Sequence, residues 1–478
     1  MNATACSPAA IQPPAVYGAD MLSLSASWVS NFTLDVPGIF NYNHGDVAVE
    51  NVDFCNITVT YTHPGYGDNI TVKSWLPRDW NGRLQATGGG GWQAGLRFPP
   101  SNLFMAGAIG EGYATTTTDA GLGDAVFPAP WALKSPGNVD LVALQNLGSR
   151  SLNDQAIIGK SFIHNFYGRD PEYSYWSGCS QGGRQGLMLA QRYPDAYDGI
   201  AASAPAQSWT KFVAGVFYPA LMKTWHDVDP LACELDFLTE QVVAHCDPKD
   251  GVRDGTFVCA SLNNETIPLS YGAALIADAA WSGPQTDGDD GERLWYGLNP
   301  GADISTTLGS VPGKNTTSSP DQWFRLFVAK DASFDFITLT RSEYFEYSHL
   351  GVQQYSDMMN AADPDLTAFR KRGGKLITYH GMADESIPTK GTEHYYNSVT
   401  DKFPDVQDFY RYFEAPVLGH CCGGKGGQPT TTFDALRHWV ENGTAPDSLP
   451  VEYTAVNGTK QARFLCPYPA QANFRCSL

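Results

Sequence analysis

Positive charge is what this sequence has least of. Lys and Arg number 31 against 50 Asp and Glu, a net charge of −19. That balance argues against nucleic acid and against an anionic membrane as partners, and it leaves a surface that stays soluble in acidic, extracellular conditions. No uninterrupted apolar run reaches 18 residues, so no transmembrane helix is expected. Internal repeats and low-complexity tracts are also lacking. The opening Met1-Asn2-Ala3-Thr4-Ala5-Cys6 is too short and polar for a secretory leader, so a mature or trimmed chain is expected.

What is present fits a folded, secreted glycoprotein. The 478 residues are 42% hydrophobic and 12% aromatic, enough for one large domain or two unequal ones with a full core. The 10 cysteines, an even count, are consistent with a set of five disulfides in an oxidising compartment. Asn-x-Ser/Thr acceptors occur at Asn2, Asn31, Asn56, Asn69, Asn264, Asn315, Asn442 and Asn457.

Alternating runs at 56–61 and 70–76, joined by Pro64-Gly65-Tyr66-Gly67-Asp68, predict an antiparallel hairpin. Arg83 to Thr87 and Tyr113 to Thr118 read as strands that run into glycine-rich loops, the first being Gly88-Gly89-Gly90-Gly91. A helical stretch from about Asn138 to Tyr167 follows. Strands at 173–177, 200–204, 375–379 and 409–414 alternate with helices at 183–193 and 432–440. Such alternation predicts a doubly wound α/β sheet. Between about Gln207 and Ala362 the rhythm is lost. Residues 1–206 and 363–478 are therefore assigned to a catalytic α/β core, and 207–362 to an inserted lid over the C-terminal edge of the sheet.

Gly178-Cys179-Ser180-Gln181-Gly182 is a G-x-S-x-G pentapeptide between a predicted strand and helix, the setting of a nucleophile elbow. His420 follows the 409–414 strand, and Asp384 follows the 375–379 strand. The order Ser, Asp, His is that of α/β-hydrolases. His380 is a rival base with a more structural prospect, and Glu385, Asp119 and Asp363 are weaker rivals for the acid. In a triad, His420 takes the Ser180 proton and Asp384 fixes the imidazole. The Gln181 backbone N–H and one from Gly90 or Gly91 are the candidate oxyanion donors. Cys179 adjoins the serine and Cys421 the histidine. A bridge between them would hold their Cα atoms within about 4.4–6.8 Å and bring the two side chains into one small volume.

Cys246-Asp247-Pro248-Lys249-Asp250-Gly251-Val252-Arg253-Asp254-Gly255-Thr256 spaces acidic residues by three and four, with glycines for turning. Hard oxygen ligands so placed can wrap a structural Ca²⁺, through the carboxylates of Asp247, Asp250 and Asp254 and the carbonyls of Val252 and Thr256, with Cys246 and Cys259 stapling the loop. A solvated acidic turn is the plainer alternative. No transition-metal ligand set and no organic cofactor motif are found.

Three of these segments, Gly178-Cys179-Ser180-Gln181-Gly182-Gly183-Arg184-Gln185-Gly186, Lys375-Leu376-Ile377-Thr378-Tyr379-His380-Gly381-Met382-Ala383-Asp384 and Gly419-His420-Cys421, together with the acidic loop, resemble the tannase/feruloyl esterase family from about Ile57 to Val440. The resemblance implies an α/β-hydrolase core, a calcium-binding lid, Ser180, Asp384 and His420 as triad, and Cys179–Cys421 as bridge. It also implies a secreted esterase for plant phenolic esters, including feruloylated polysaccharide. The remaining cysteines would then pair as Cys6–Cys55, Cys246–Cys259, Cys466–Cys476 and Cys233–Cys422. Hydroxycinnamate esters are the leading substrates and galloyl esters the alternative. A non-catalytic binding glycoprotein on a hydrolase scaffold is the reading from another class. Trp92, Trp209, Trp281, Trp323 and Phe324 are candidates for an aromatic acyl slot, and equally for plain core.

Overall fold

The computed structural model describes residues 4–246, 256–259, 265–286, 291–308, 319–454 and 458–470. A nine-stranded sheet organises the chain. Its strands are β1 (Asp20–Val36), β2 (Val47–Thr62), β3 (Ile70–Pro77), β4 (Arg83–Thr87), β5 (Ala114–Thr118), β6 (Tyr173–Cys179), β7 (Gly199–Ser203), β8 (Lys375–Gly381) and β9 (Tyr410–Ala415). The spatial order is β1-β2-β3-β5-β4-β6-β7-β8-β9. β1, β2, β3 and β5 pair antiparallel, and β5 through β9 run parallel.

The two parts differ for a physical reason. β2 alternates buried Ile57, Val59 and Tyr61 with half-buried Thr58 and Thr60, the mark of a sheet with one wet face. β5 and β7 are buried along their whole length, because helices cover both faces. The expected hairpin is β2–β3, with Ile57 opposite Ser74 and Val59 opposite Val72. β1 escaped sequence reading; its outer edge is polar and mostly exposed.

Helices α1 (Ser101–Gly110), α2 (Ser151–Tyr167), α3 (Gln181–Arg192), α4 (Trp209–His226), α5 (Arg341–Met359), α6 (Thr389–Lys402) and α7 (Thr432–Asn442) complete the frame. α7 ends at Gly443, whose φ of 71° supplies the left-handed cap that its sequence position predicts. The expected single helix from Asn138 starts instead at Leu141 and passes through a π-turn, Asn146–Arg150, before α2.

The chain leaves the sheet after β7 and returns at β8. The intervening described residues form helices, including α4 and α5, and a small hairpin, Thr256–Cys259 with Glu265–Pro268. Their core is aromatic. Trp209, Phe217, Trp323, Phe324, Phe327 and Tyr344 are buried together, and Trp92 from the loop after β4 joins them. Trp92, Trp209, Trp323 and Phe324 are thus core, each no more than 3% exposed, while Trp281 is half-buried. Among the described residues no helix is long and apolar enough to cross a membrane.

Candidate active site

Three strand ends converge on one point. Ser180 stands between β6 and α3 with φ 63° and ψ −122°, a conformation that costs a non-glycine residue roughly 1–3 kcal/mol. The turn is locked on both sides: the Ser180 N–H donates to Ser203 O at 3.0 Å, and its carbonyl accepts from Arg184 N and Ala206 N at 2.9 and 3.1 Å. The flanking glycines are needed for contact. A Cβ on Gly178 would lie 2.6 Å from the Gly182 backbone, and one on Gly182 would lie 3.0 Å from Gly89 O.

His420, on the loop after β9, meets Ser180 Oγ with its Nε2 at 2.9 Å. Its Nδ1 meets Asp384 Oδ2 at 2.8 Å. A carboxylate only accepts, so Nδ1 carries the proton and Nε2 is free to accept from the serine hydroxyl. Asp384 is fully buried and saturated: Oδ1 accepts the N–H of Ser386 and of Ile387, each at 2.8 Å, and Oδ2 accepts from His420 and from His380. Burial alone would push the Asp384 carboxyl up, but His420 and the hydrogen bonds from both histidines outweigh it and hold it well below the usual range. Burial works against charge on His420 as well; Asp384, with Glu385 behind it, more than offsets this and raises the imidazole above its ordinary value.

The Cys179–Cys421 bridge is formed, with Cα atoms 6.0 Å apart. It packs against Ala204 and Tyr42, and Tyr379 Oη donates to Cys421 O at 2.8 Å. The bridge, the elbow and the imidazole are one contiguous unit. A serine hydroxyl facing an unprotonated ring nitrogen, with an ionised carboxylate behind the ring, is equipped for acyl transfer.

The profile of the family described as tannase and feruloyl esterase matches residues 55–267 and 273–477. The chain belongs to that family. A probable feruloyl esterase from Arthroderma benhamiae is 35% identical over 499 residues, covering 98% of this chain and 90% of its own. A tannase from Aspergillus oryzae is 27% identical, covering 91% and 86%. The solved tannin acyl hydrolase from Aspergillus niger superposes with a TM-score of 0.83 at 25% identity, covering 96% and 91%. The fold is accordingly that of an α/β-hydrolase, and the chain is a carboxylic ester hydrolase.

Within this family member the rival acids stand elsewhere. Asp119 accepts from Thr71 N and Gly121 N beside β5, and Asp363 accepts from Asp365 N. Glu385 is close by, and it accepts the His420 backbone N–H at 3.1 Å. Gln181 is buried at the first turn of α3. Gly88 and Gly89 are the glycines pressed against the elbow, and the Gly89 N–H is already engaged by Gln185 Oε1 at 3.0 Å. Gly90 packs against the Phe98 ring, and Gly91 turns at φ 56°. Sequence reading gave no role to Gln185 or Arg184, though both sit in the motif it singled out. Arg184 is fully buried and donates to Gln181 Oε1 and to the carbonyls of Leu147, Gly148 and Met359.

Two expected pairings of cysteines fail. Cys422 is a free thiol: the turn that bonds its N–H to His420 O sets it among Tyr42 and Glu385, while Cys233, in the helix Ala232–Cys246, is bridged to another partner. Cys466 is also free, at the end of the strand Lys460–Leu465, where it lines a surface groove with Val417 and Phe464; Cys476 lies outside the described residues. Cys6–Cys55 forms as expected, with Cα atoms 5.5 Å apart. The side chains of Cys246 and Cys259 lie outside the described residues, as do Asp247, Asp250, Val252, Asp254 and the side chain of Thr256. Among the described residues no group of three or more His, Cys, Asp or Glu could hold a metal. Of the sequons, Asn31, Asn69 and Asn442 are exposed, Asn56 is half-buried with its Oδ1 accepting from Trp75, and Asn2, Asn264, Asn315 and Asn457 are outside the described residues.

Proposed function

We propose that this chain is a secreted serine esterase that releases hydroxycinnamic acids of the ferulic type from phenolic esters, including those of plant cell walls. The observation that carries the mechanism is the single imidazole that touches both Ser180 Oγ at 2.9 Å and Asp384 Oδ2 at 2.8 Å. His420 Nε2 takes the hydroxyl proton as Ser180 Oγ bonds to the ester carbonyl carbon. The resulting oxyanion is held by the Gln181 N–H and one from Gly90 or Gly91. His420 then returns the proton to the departing alcohol, and the acyl-serine is released by water through the same two steps. Asp384 keeps the ring oriented and stabilises the imidazolium.

Support for the acyl preference is the 35% identity to a probable feruloyl esterase. A galloyl ester hydrolase is the second reading, favoured by the TM-score of 0.83 to a tannin acyl hydrolase. A gallate ring needs buried polar partners for its three hydroxyls, whereas the methoxy of ferulate needs an apolar niche. Disulfides and exposed sequons support secretion. A structural Ca²⁺ belongs to the same proposal: three carboxylates and two peptide carbonyls from 247–256 form a hard-oxygen donor set suited to that ion.

The test is hydrolysis of a nitrophenyl ester by the wild type and by Ser180→Ala. A loss of roughly 10³-fold or more is expected. Equal activity in the two would sink the triad and favour a binding glycoprotein. kcat/KM on methyl ferulate against methyl gallate then decides between the two acyl classes.

A further inference from the structure

Asp384 serves two histidines. His380 is completely buried on β8, four residues before the acid. Its Nε2 lies 3.0 Å from Asp384 Oδ2 and 3.2 Å from the carbonyl of Ile387. Both of those atoms can only accept, so Nε2 must carry a proton. Its Nδ1 lies 2.8 Å from Thr392 Oγ1 on α6, whose hydroxyl can donate to it. The ring is therefore fixed at both ends in one orientation. The oxygen it donates to is the one that receives the His420 Nδ1–H.

We propose that His380 is a positioning residue for the ester-hydrolysis reaction, which tunes His420 through their shared acceptor, Asp384 Oδ2. The inference rests on the proposed triad. A second charge-assisted donor on one oxygen draws off part of its negative charge and fixes the plane of the carboxylate. Less charge on Oδ2 stabilises the His420 imidazolium less. The base is thereby kept from holding its proton too tightly. The other titratable groups facing this pair are Glu385 on the same loop, Glu414 directly across from His380 on β9, Glu393 on α6 behind Glu414, and the Cys422 thiol beside Glu385. All three carboxyls favour imidazolium. None replaces a donor on Oδ2.

The variants are His380→Leu, which removes the donor at similar volume, and His380→Gln, which retains an N–H at the end of a flexible side chain. In His380→Leu, kcat for a nitrophenyl ester is expected to fall about tenfold with KM within about twofold. The acid limb of kcat/KM moves up by roughly half a unit to one unit, because the unshared carboxylate holds the imidazolium more tightly. His380→Gln restores most of both. An unmoved acid limb in folded His380→Leu overturns the proposal whatever happens to kcat, and so does a downward shift. A second measurement needs no variant and no turnover. In ¹⁵N-histidine-labelled wild-type protein, the His380 Nε2 is expected to stay protonated from pH 5 to 9, and a bare Nε2 overturns the assignment. If Ser180→Ala is fully active the triad fails. If Ser180→Ala is inactive and the His380 measurements come out negative, only this inference fails.

Discussion

The catalytic edge of the sheet and the aromatic insertion above it treat their buried polar groups in opposite ways. Around the triad the buried polar atoms are mostly matched, with Gln181 Nε2 and Thr87 Oγ1 as exceptions nearby. Asp384 has four donors, His380 has partners on both nitrogens, and Gln185 accepts from Gly89 N while donating to Ala94 O. In the insertion and the loop that joins it, the indole N–H groups of Trp92, Trp209, Trp295 and Trp323 are buried without a hydrogen-bond partner among the described residues. Ring contacts take their place: Trp92 stacks on Phe327 at 5.1 Å and meets Trp209 edge-on at 4.8 Å. Hydrogen bonds are directional and admit one arrangement, whereas ring packing tolerates several. The difference assigns geometry to the sheet edge and adaptability to the insertion.

Cutting the Cys179–Cys421 bridge is the largest test of that contrast. The bridge closes a separation of 242 residues and adjoins both Ser180 and His420. The double variant Cys179→Ala/Cys421→Ala is expected to lose about 100-fold in kcat, since a misplacement of about 1 Å has that effect. The chain-entropy limit on stability is about 5 kcal/mol. Loss of activity should appear at temperatures well below the unfolding transition. Tryptophan fluorescence, which comes from 12 tryptophans spread over the sheet and the insertion, should remain native there. A variant with wild-type kcat would show that the hydrogen bonds alone hold the site.

Chelation probes the other region. If Ca²⁺ occupies 247–256, EDTA is expected to lower Tm by several degrees, as loss of any ligand specific to the native state does. kcat measured at 25 °C should change less than twofold, because an ion held there would have no part in the chemistry proposed for Ser180, Asp384 and His420. Asp250→Asn with Asp254→Asn should reproduce the Tm loss and abolish its response to EDTA. A Tm indifferent to EDTA in the wild type removes the ion from the account. A proportional fall in kcat would mean that the two regions are coupled more tightly than their packing implies.

The sequence was most legible where local pattern and tertiary role agree. β6, Ser180 and α3 were readable because a strand, a glycine-flanked turn and a helix are each local signals, and all three appear where expected. The adjacency of cysteines to Ser180 and His420 let a long-range contact be read from short-range spacing, and the 6.0 Å Cα separation bears it out. β1 was missed because its pairing partner, not its own composition, makes it a strand; it lies on β2 from Asp20 opposite Thr62 to Val36 opposite Val47. Pairing by exclusion failed at Cys422, and Cys466 is free as well, since an even cysteine count constrains numbers and not distances. His380 was set aside as base; its ring nitrogens meet Asp384, Ile387 O and Thr392, and these contacts depend on loop geometry that no spacing encodes.

The smallest expected effect separates stability from activity at one residue. His420 titrates above its ordinary value, so its pairing with Asp384 stabilises the fold fully below the unfolded-state value, about 6.5, and that contribution is lost as pH rises through the folded-state value. Catalysis needs the opposite form, because only the unprotonated Nε2 accepts from Ser180. Asp384 is held low and stays ionised across this window; its own contribution is lost only as pH falls below the carboxylate range. Over the interval where kcat/KM climbs, Tm should therefore decline slightly, by no more than about 2 °C. His420→Gln should remove that part of the decline while leaving the response to EDTA intact. An identical dependence of Tm on pH in His420→Gln would place the titration elsewhere.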